Sequence, residues 1–408
     1  MSLSAAAPAS EPADTLCFVI VSTCPDAWGG SEELWRGAAL HLAQAGHAVH
    51  IFKTHVQATH PRIQELRAAG CTLTDLLAWP RPTVLARLSH RVLPARWWPQ
   101  PLETEQLLSS ALQQLQPHLT LFSQGGNLDG VALAQPCAQQ GHPYALVVQK
   151  ATEIFLVYDE GRQAMQQVYQ AAQHCFFVSR HNLELTQCQL GQRLPRASVV
   201  SNPFNVPFAG ELPAPPAEAG YQLACVARLD ILDKGQDLLL HVLARPHWRE
   251  RPLHITFFGS GPQRQGLVEM ADFLEVSGQV SFAGQVADVP GIWRTHHALV
   301  LASRYEGLPL AMVEAMLCGR PTIAAPAGGI AELLIDDVTG FLAAAPTVDA
   351  LDEALERAWA RRADWPQLGA QAAHHARASV PPDPALDFGR QLLQLAHSLT
   401  SISQAISA

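Results

Sequence analysis

The fold class this sequence predicts is α/β, with two Rossmann-like, doubly wound domains facing a central cleft. Three observations carry that prediction. Apolar runs of strand length alternate with helical stretches through most of the 408 residues. The alternation is interrupted at 207–220 (PFAGELPAPPAEAG), which holds four Pro and reads as a linker. The chain is also long enough for two or three domains, and 48% hydrophobic residues can fill large cores.

In order along the chain, residues 1–14 are rich in Ala, Ser and Pro, without Lys or Arg, and read as a disordered tail, not as a signal peptide. A first domain is expected over 15–206. Its opening strand, 16–23 (LCFVIVST), runs into the loop Pro25-Asp26-Ala27-Trp28-Gly29-Gly30. Ser31 is placed to cap a helix that ends near Gly46, and 47–54 (HAVHIFKT) forms the next strand. This is a βαβ unit with a Gly-rich first turn. Further strands are expected at 118–123, 144–149 and 174–179. After the linker, a second domain over 221–384 alternates again, with strands near 222–227, 254–258, 279–282, 298–302 and 321–324. A last helix, within 385–408, follows the Pro cluster at 381–384. Alternation of this kind gives parallel sheets, whose ligands bind beyond the carboxyl ends of the strands. With two such domains the site falls in the cleft between them.

Composition narrows the function. A net charge of -9 argues against general nucleic-acid binding. The eight Cys form no C-x-x-C pair and read as reduced, mostly buried thiols of a cytoplasmic protein. No H-E-x-x-H occurs, and the pairs His296-His297 and His374-His375 do not share a helix face, so no metal site is expected. No apolar run reaches the roughly 20 residues of a spanning helix.

The chemistry-bearing segments lie mainly in the second domain. Arg228 leaves a strand end and Lys234 precedes Gly235 and a new helix; two cations on a carboxyl edge can neutralise a pyrophosphate, or stand as ordinary surface charges. Gly259-Ser260-Gly261-Pro262 is a weak dinucleotide motif, but a turn that lets backbone approach a nucleotide. In Ser303–Met316, Glu306 stands before Gly307-Leu308-Pro309, and Glu314 lies inside an apolar helix. Pro309 suits the first helical position, and the N–H groups near Gly307 and Leu308 form an anion site. Glu306 would repel a phosphate and suits neutral hydroxyls instead. Glu314 either reaches a second set of hydroxyls or lies on the solvent face of its helix.

Gly29-Gly30-Ser31-Glu32, Arg228 with Lys234-Gly235, Gly259-Ser260-Gly261-Pro262, Glu306-x7-Glu314, Gly328-Gly329-Ile330-Ala331-Glu332-Leu333 and Thr339-Gly340-Phe341-Leu342 follow one another in this order. This succession resembles the retaining glycosyltransferases of family 4, over about 17–345 and densely over 221–345. The resemblance implies two domains in the GT-B arrangement with a nucleotide sugar between them. It implies that Arg228 and Lys234 bind the diphosphate, Glu306 holds sugar hydroxyls, Gly307 and Leu308 give backbone contacts, and Glu314 holds the ribose. Gly29 and Gly30 would approach the diphosphate from the first domain, and the last helix would cross back onto that domain. With no D-x-D at a strand end, no metal or other cofactor is expected; the cations and the helix start would stabilise the leaving group. One feature departs from the family pattern: where many members carry a His at a first-domain strand end, this chain has Ser123 or Gln124.

Residues 79–98 lie in an acid-free stretch with Arg81, Arg87, Arg91, Arg96 and Trp79, Trp97, Trp98. They read as a core-packing helix with solvated arginines, or as a peripheral membrane contact. The function expected is a bacterial, cytoplasmic hexosyltransferase of polysaccharide biosynthesis, peripheral to the inner face of the membrane if 79–98 bind it. Its acceptor would be a glycan or a lipid-linked intermediate. The alternatives are a non-catalytic GT-B partner subunit that binds nucleotide or glycan, and a nucleotide-sugar epimerase.

Overall fold

The structure is a computed structural model that describes residues 15–77, 104–154, 156–210, 212–217 and 220–407. The tail at 1–14 and the stretch at 79–98 lie outside the described residues.

Two parallel sheets form the framework. The first has seven strands: β1 (Cys17–Ser22), β2 (Ala48–Lys53), β3 (Thr72–Asp75), β4 (Leu119–Gln124), β5 (Tyr144–Val148), β6 (His174–Phe177) and β7 (Ala197–Val199). The second has six: β8 (Tyr221–Val226), β9 (Leu253–Phe258), β10 (Val280–Gly284), β11 (Ala298–Leu301), β12 (Thr322–Ala324) and β13 (Gly340–Leu342). Their orders are β3-β2-β1-β4-β5-β6-β7 and β10-β9-β8-β11-β12-β13. In each sheet the order reverses beside the first strand, between β1 and β4 and between β8 and β11. Loops leaving the carboxyl ends there diverge and open a crevice.

The central strands are apolar on both faces because helices cover both faces. Val19 and Val21 of β1 face one core cluster, with Phe122 and Tyr144; Phe18 and Ile20 face the other, with Leu34 and Trp35. The helix after β1 spans Glu32–Gln44. Ser31 occupies its cap position in helical backbone conformation and makes no side-chain cap hydrogen bond, contrary to the sequence expectation. The last helix, Pro384–Ser407, lies against Glu32–Gln44, and its Phe388, Leu392 and Ala396 complete the core of the first sheet. Phe388 meets Phe176 edge-on at 5.0 Å between ring centroids.

The linker is tied down more than its composition suggests. Arg320, buried, donates to the carbonyls of Leu212 and Pro213, while Arg377 donates to those of Phe208 and Gly210. Phe204, Phe208 and Leu212 pack on a core cluster of the second sheet. The linker is thus a strap on the second domain. The cysteines are free and mostly buried, as expected; Cys188 is exposed and Cys17 partly so.

Candidate functional site

The two crevices face each other; of the side chains singled out in the second domain, Lys234 and Glu306 touch, Arg228 pairs with other carboxylates and Glu314 lies against Asn205. Asp230 caps the short helix Ile231–Lys234 by accepting from the Leu232 N–H at 3.2 Å. Gly235 ends that helix at φ +62°, with its Cα so close to β11 that a Cβ would lie 2.2 Å from the Ala302 carbonyl oxygen. Only glycine fits there, and the close approach sets Lys234 beside the loop after β11. Lys234 Nζ donates to Glu306 Oε1 at 2.7 Å, and Ser303 Oγ donates to the same oxygen at 2.7 Å. Glu306 is 6% exposed, so this is a nearly buried ion pair. The same loop is braced by Arg304, whose guanidinium forks onto Asp237 at 2.8 and 2.9 Å.

Arg228 is half exposed and sits among three carboxylates: Asp230 at 3.0 Å, Asp233 at 3.3 Å and, from the first domain, Asp26 at 3.6 Å. Lys150, just past the end of β5, reaches across to Asp233 at 2.7 Å. Cations from both domains therefore converge on one edge, each held by a carboxylate. Sequence reading missed Lys150. The available signal was a lone cation just beyond the apolar strand Tyr144–Val148.

The helix after Glu306 spans Leu310–Leu317, with Pro309 at the cap position, one residue before the first helical residue and not at it. Among the described residues the N–H groups of Gly307 and Leu308 have no hydrogen-bond acceptor. They and the helix start leave donors for an anion. Gly30 faces this helix from the first domain, where a Cβ would lie 3.5 Å from Leu310 Cδ1. Gly259, just past β9, lies against the loop after β8, and its N–H donates to the Gly284 carbonyl at 2.8 Å.

Gly307 is also where the domains touch. A Cβ there would lie 2.1 Å from the Gln149 carbonyl oxygen and 2.6 Å from Val178 Cγ2. Glu332 joins them a second time: its carboxylate accepts the N–H groups of Arg180 (3.0 Å) and His181 (2.6 Å) at the start of helix Arg180–Leu190. Gly307→Ala is therefore expected to push the domains apart while each keeps its core. Small-angle scattering should show a larger radius of gyration with an unchanged far-ultraviolet spectrum; an unchanged radius would refute the steric account.

Glu314 is not on a solvent face: it is 3% exposed, and its Oε1 accepts from the Asn205 N–H (2.8 Å) and amide (3.0 Å). Burial raises its pKa, and the two Asn205 donors partly oppose the rise. A raised native value means that folding favours the protonated acid. The charge thus costs stability above the ordinary glutamate range, near about 4.3, increasingly as pH rises through the native value. Glu314→Gln keeps an acceptor for Asn205 and removes the charge. Its melting temperature without ligand should match or exceed that of the parent at pH 7–8, and the gain should vanish at the acid end. A loss of stability that is constant with pH would contradict this.

The strand end where the family pattern has a His holds Ser123 and Gln124, both buried. The Gln124 amide is committed: it donates to the Asp129 carbonyl and accepts from Tyr169 Oη at 3.1 Å. Asn127 is bound to Thr186 and Gln189, and Asp129 to the Gly126 N–H. Away from the cleft, His247, Asp352 and Glu356 lie close together, but Arg245 and Arg251 already pair with the two carboxylates.

The family model described as Glycosyl transferases group 1 matches residues 220–361. That stretch falls in the second domain, which is therefore similar to group 1 glycosyltransferases. Among relatives, the Vi polysaccharide biosynthesis protein VipC/TviE of Salmonella typhi is 40% identical over 85 residues, 21% of this chain and 14% of that protein. The GDP-mannose-dependent alpha-(1-6)-phosphatidylinositol monomannoside mannosyltransferase of Mycolicibacterium smegmatis is 27% identical over 217 residues, 48% of this chain and 55% of the relative. The chain thus spans from about a seventh to about half the length of these two relatives. The likeness in three dimensions covers both domains. HepE of Anabaena, solved in complex with UDP, superposes with a TM-score of 0.69 at 16% identity, covering 94% of this chain and 100% of HepE. Sucrose-phosphate synthase from Thermosynechococcus elongatus gives 0.70 at 18% identity, covering 95% and 100%. The chain therefore has a GT-B fold of two doubly wound domains, with residues 220–361 in the second. Among the described residues no helix is long and apolar enough to cross a membrane.

Proposed function

We propose that this chain is a retaining glycosyltransferase of family 4 that moves a hexosyl group from a nucleoside diphosphate sugar to a hydroxyl of a glycan or lipid-linked acceptor. The observation that carries the reading is the Lys234–Glu306–Ser303 cluster, placed beside the unpaired N–H groups of Gly307 and Leu308 and opposite Gly30. A diphosphate at this edge takes over Arg228 and Lys234 from their carboxylates and binds the Gly307 and Leu308 N–H groups. Lys234 then lies between the phosphate and Glu306, which is left to accept from sugar hydroxyls. Glu314, with Asn205 on one oxygen, has the other for the ribose.

The anomeric C–O bond breaks toward the diphosphate, whose developing charge these donors stabilise without a metal. The acceptor oxygen bonds to the anomeric carbon on the same face. Its proton passes to the departing phosphate oxygen, so no separate base is needed. The relatives named for Vi polysaccharide biosynthesis and for mannosylating a phosphatidylinositol monomannoside support a role in polysaccharide or glycolipid assembly.

One observation favours a second reading, a non-catalytic subunit that binds nucleotide: the Gln124 amide at the His position is engaged within its own domain, its nitrogen on Asp129 and its oxygen on Tyr169. A thermal-shift panel of UDP, GDP, ADP and their sugars, followed by mass-spectrometric assay of donor turnover, separates the two. Stabilisation by one nucleotide together with hydrolysis or transfer of its sugar is the expected result. Stabilisation with no turnover of any donor would favour the subunit, and no response to any nucleotide would sink both readings.

A further inference from the structure

The end of β2 carries a charge with no access to water. Lys53 and Glu32 are 0% and 1% exposed, and Lys53 Nζ lies 2.9 Å from Glu32 Oε2. The ammonium also donates to the carbonyl of Asp26 at 2.8 Å and, more weakly, to that of Cys24 at 3.4 Å. The ammonium thus donates to two loop carbonyls and faces Glu32 Oε2 as an ion pair, an oxygen that accepts no hydrogen bond. The other Glu32 oxygen accepts from Ser22 Oγ at 2.6 Å and Trp35 Nε1 at 2.9 Å. Thr54 Oγ1 adds a second donor to the Cys24 carbonyl at 2.8 Å. One buried pair therefore joins the end of β1, the end of β2, the first turn of helix Glu32–Gln44 and the loop over 24–30.

Stability alone does not call for such a pair. Removing two charges from water is costly, and a well-packed apolar replacement is often as stable or more so. What no apolar side chain can do is hold two loop carbonyls at fixed positions. The loop held in this way carries Gly29 and Gly30, and Gly30 comes up to Leu310 across the cleft. Its Asp26, whose carbonyl Lys53 binds, turns its carboxylate to Arg228.

We propose that Lys53 is a positioning residue for donor binding: paired with Glu32, it fixes the 24–30 loop so that the Gly29–Gly30 backbone meets the diphosphate end of the nucleotide sugar. This rests on the function proposed above and adds a residue and a role to it. Lys53 touches no ligand. It acts through the carbonyls of Cys24 and Asp26.

The test uses the full chain, Lys53→Met and the double variant Glu32→Leu/Lys53→Met. Lys53→Met alone leaves Glu32 buried without its cation and should melt earlier. The double variant removes both charges and should regain part of the melting temperature, the remainder being lost because Ser22 Oγ and Trp35 Nε1 no longer have their acceptor. Calorimetric titration with UDP, GDP and ADP and with the matching monophosphates then reads the loop. The diphosphate-to-monophosphate affinity ratio should fall about tenfold (~1.4 kcal/mol) in the double variant as well. A recovered ratio alongside recovered stability would show that the pair serves folding only and would overturn the proposal. Hydrogen exchange without ligand gives an arm independent of nucleotide. The amides of Cys24, position 32 and Glu33, hydrogen-bonded to Ser22 Oγ, the Gly29 carbonyl and the Gly30 carbonyl, should exchange faster in the double variant while β4 stays protected. If the parent binds no nucleotide, the functional reading fails, and unchanged exchange at these three amides would separately overturn the role of Lys53.

Discussion

Glu306→Gln should abolish sugar transfer, by on the order of 10²-fold or more, while bare nucleoside diphosphate binds at least as tightly as before. The two effects part because of how the site is wired without ligand. Glu306 Oε1 accepts from both Lys234 and Ser303 at 2.7 Å, so the carboxylate competes with a diphosphate for the Lys234 ammonium. The amide keeps an acceptor oxygen for Ser303 and gives up the charge. Lys234 is then freer to bind phosphate, whereas the sugar hydroxyls lose an ionised acceptor, whose hydrogen bonds are the stronger kind. Calorimetry with the diphosphate and turnover with its sugar check both halves. Equal loss of bare diphosphate affinity and of turnover would show that Glu306 does not divide its work from the phosphate site in this way.

Lys234→Met should be worse in a different manner. It strips the cation from a carboxylate that is 6% exposed and leaves only Ser303 as its partner. Breaking a pair this deeply buried by removing one member costs about 3 kcal/mol or more. The same change removes charge from the leaving diphosphate, so turnover should fall on the order of 10²–10³-fold. Lys234→Met/Glu306→Gln should recover most of the stability and none of the activity. Chemical denaturation of the single and double variants measures the first, donor turnover the second. A single variant as stable as the parent would mean that the ion pair does not contribute to the fold.

Much of the framework was legible in the chain itself. Strands buried on both faces, such as Cys17–Ser22 and Leu253–Phe258, leave apolar runs that hardly occur otherwise, and the Gly and Pro around them mark the turns. The strands missed were Thr72–Asp75, Ala197–Val199 and Gly340–Leu342. All three lie at a sheet edge and have only three or four residues. Thr72–Asp75 and Ala197–Val199 are partly wet, as a strand paired on one side can be, so their residues need not be apolar; Gly340–Leu342 is apolar and mostly buried but too short to stand out. At the site, the order of Arg228, Lys234, Glu306 and Glu314 was readable because loops that leave neighbouring strand ends recur in a fixed order. Lys150, Asn205 and Asp233 were not, since each matters through a partner distant in sequence: Asp233 for Lys150, Glu314 for Asn205.

By itself the sequence determined the two alternating halves, the strap of prolines between them and the residue types that a phosphate and a set of hydroxyls require. These follow from periodicity and local turn chemistry, which are properties of neighbouring residues. Tertiary structure decided which charges neutralise one another, that Glu314 faces inward toward Asn205, that Gln124 is spent within its own domain, and that a fully buried lysine stands under the Gly29–Gly30 loop. The reason is dielectric as much as distance. A carboxylate in water and one that is 3% exposed are chemically different groups, and no short stretch of sequence says which of the two it will become.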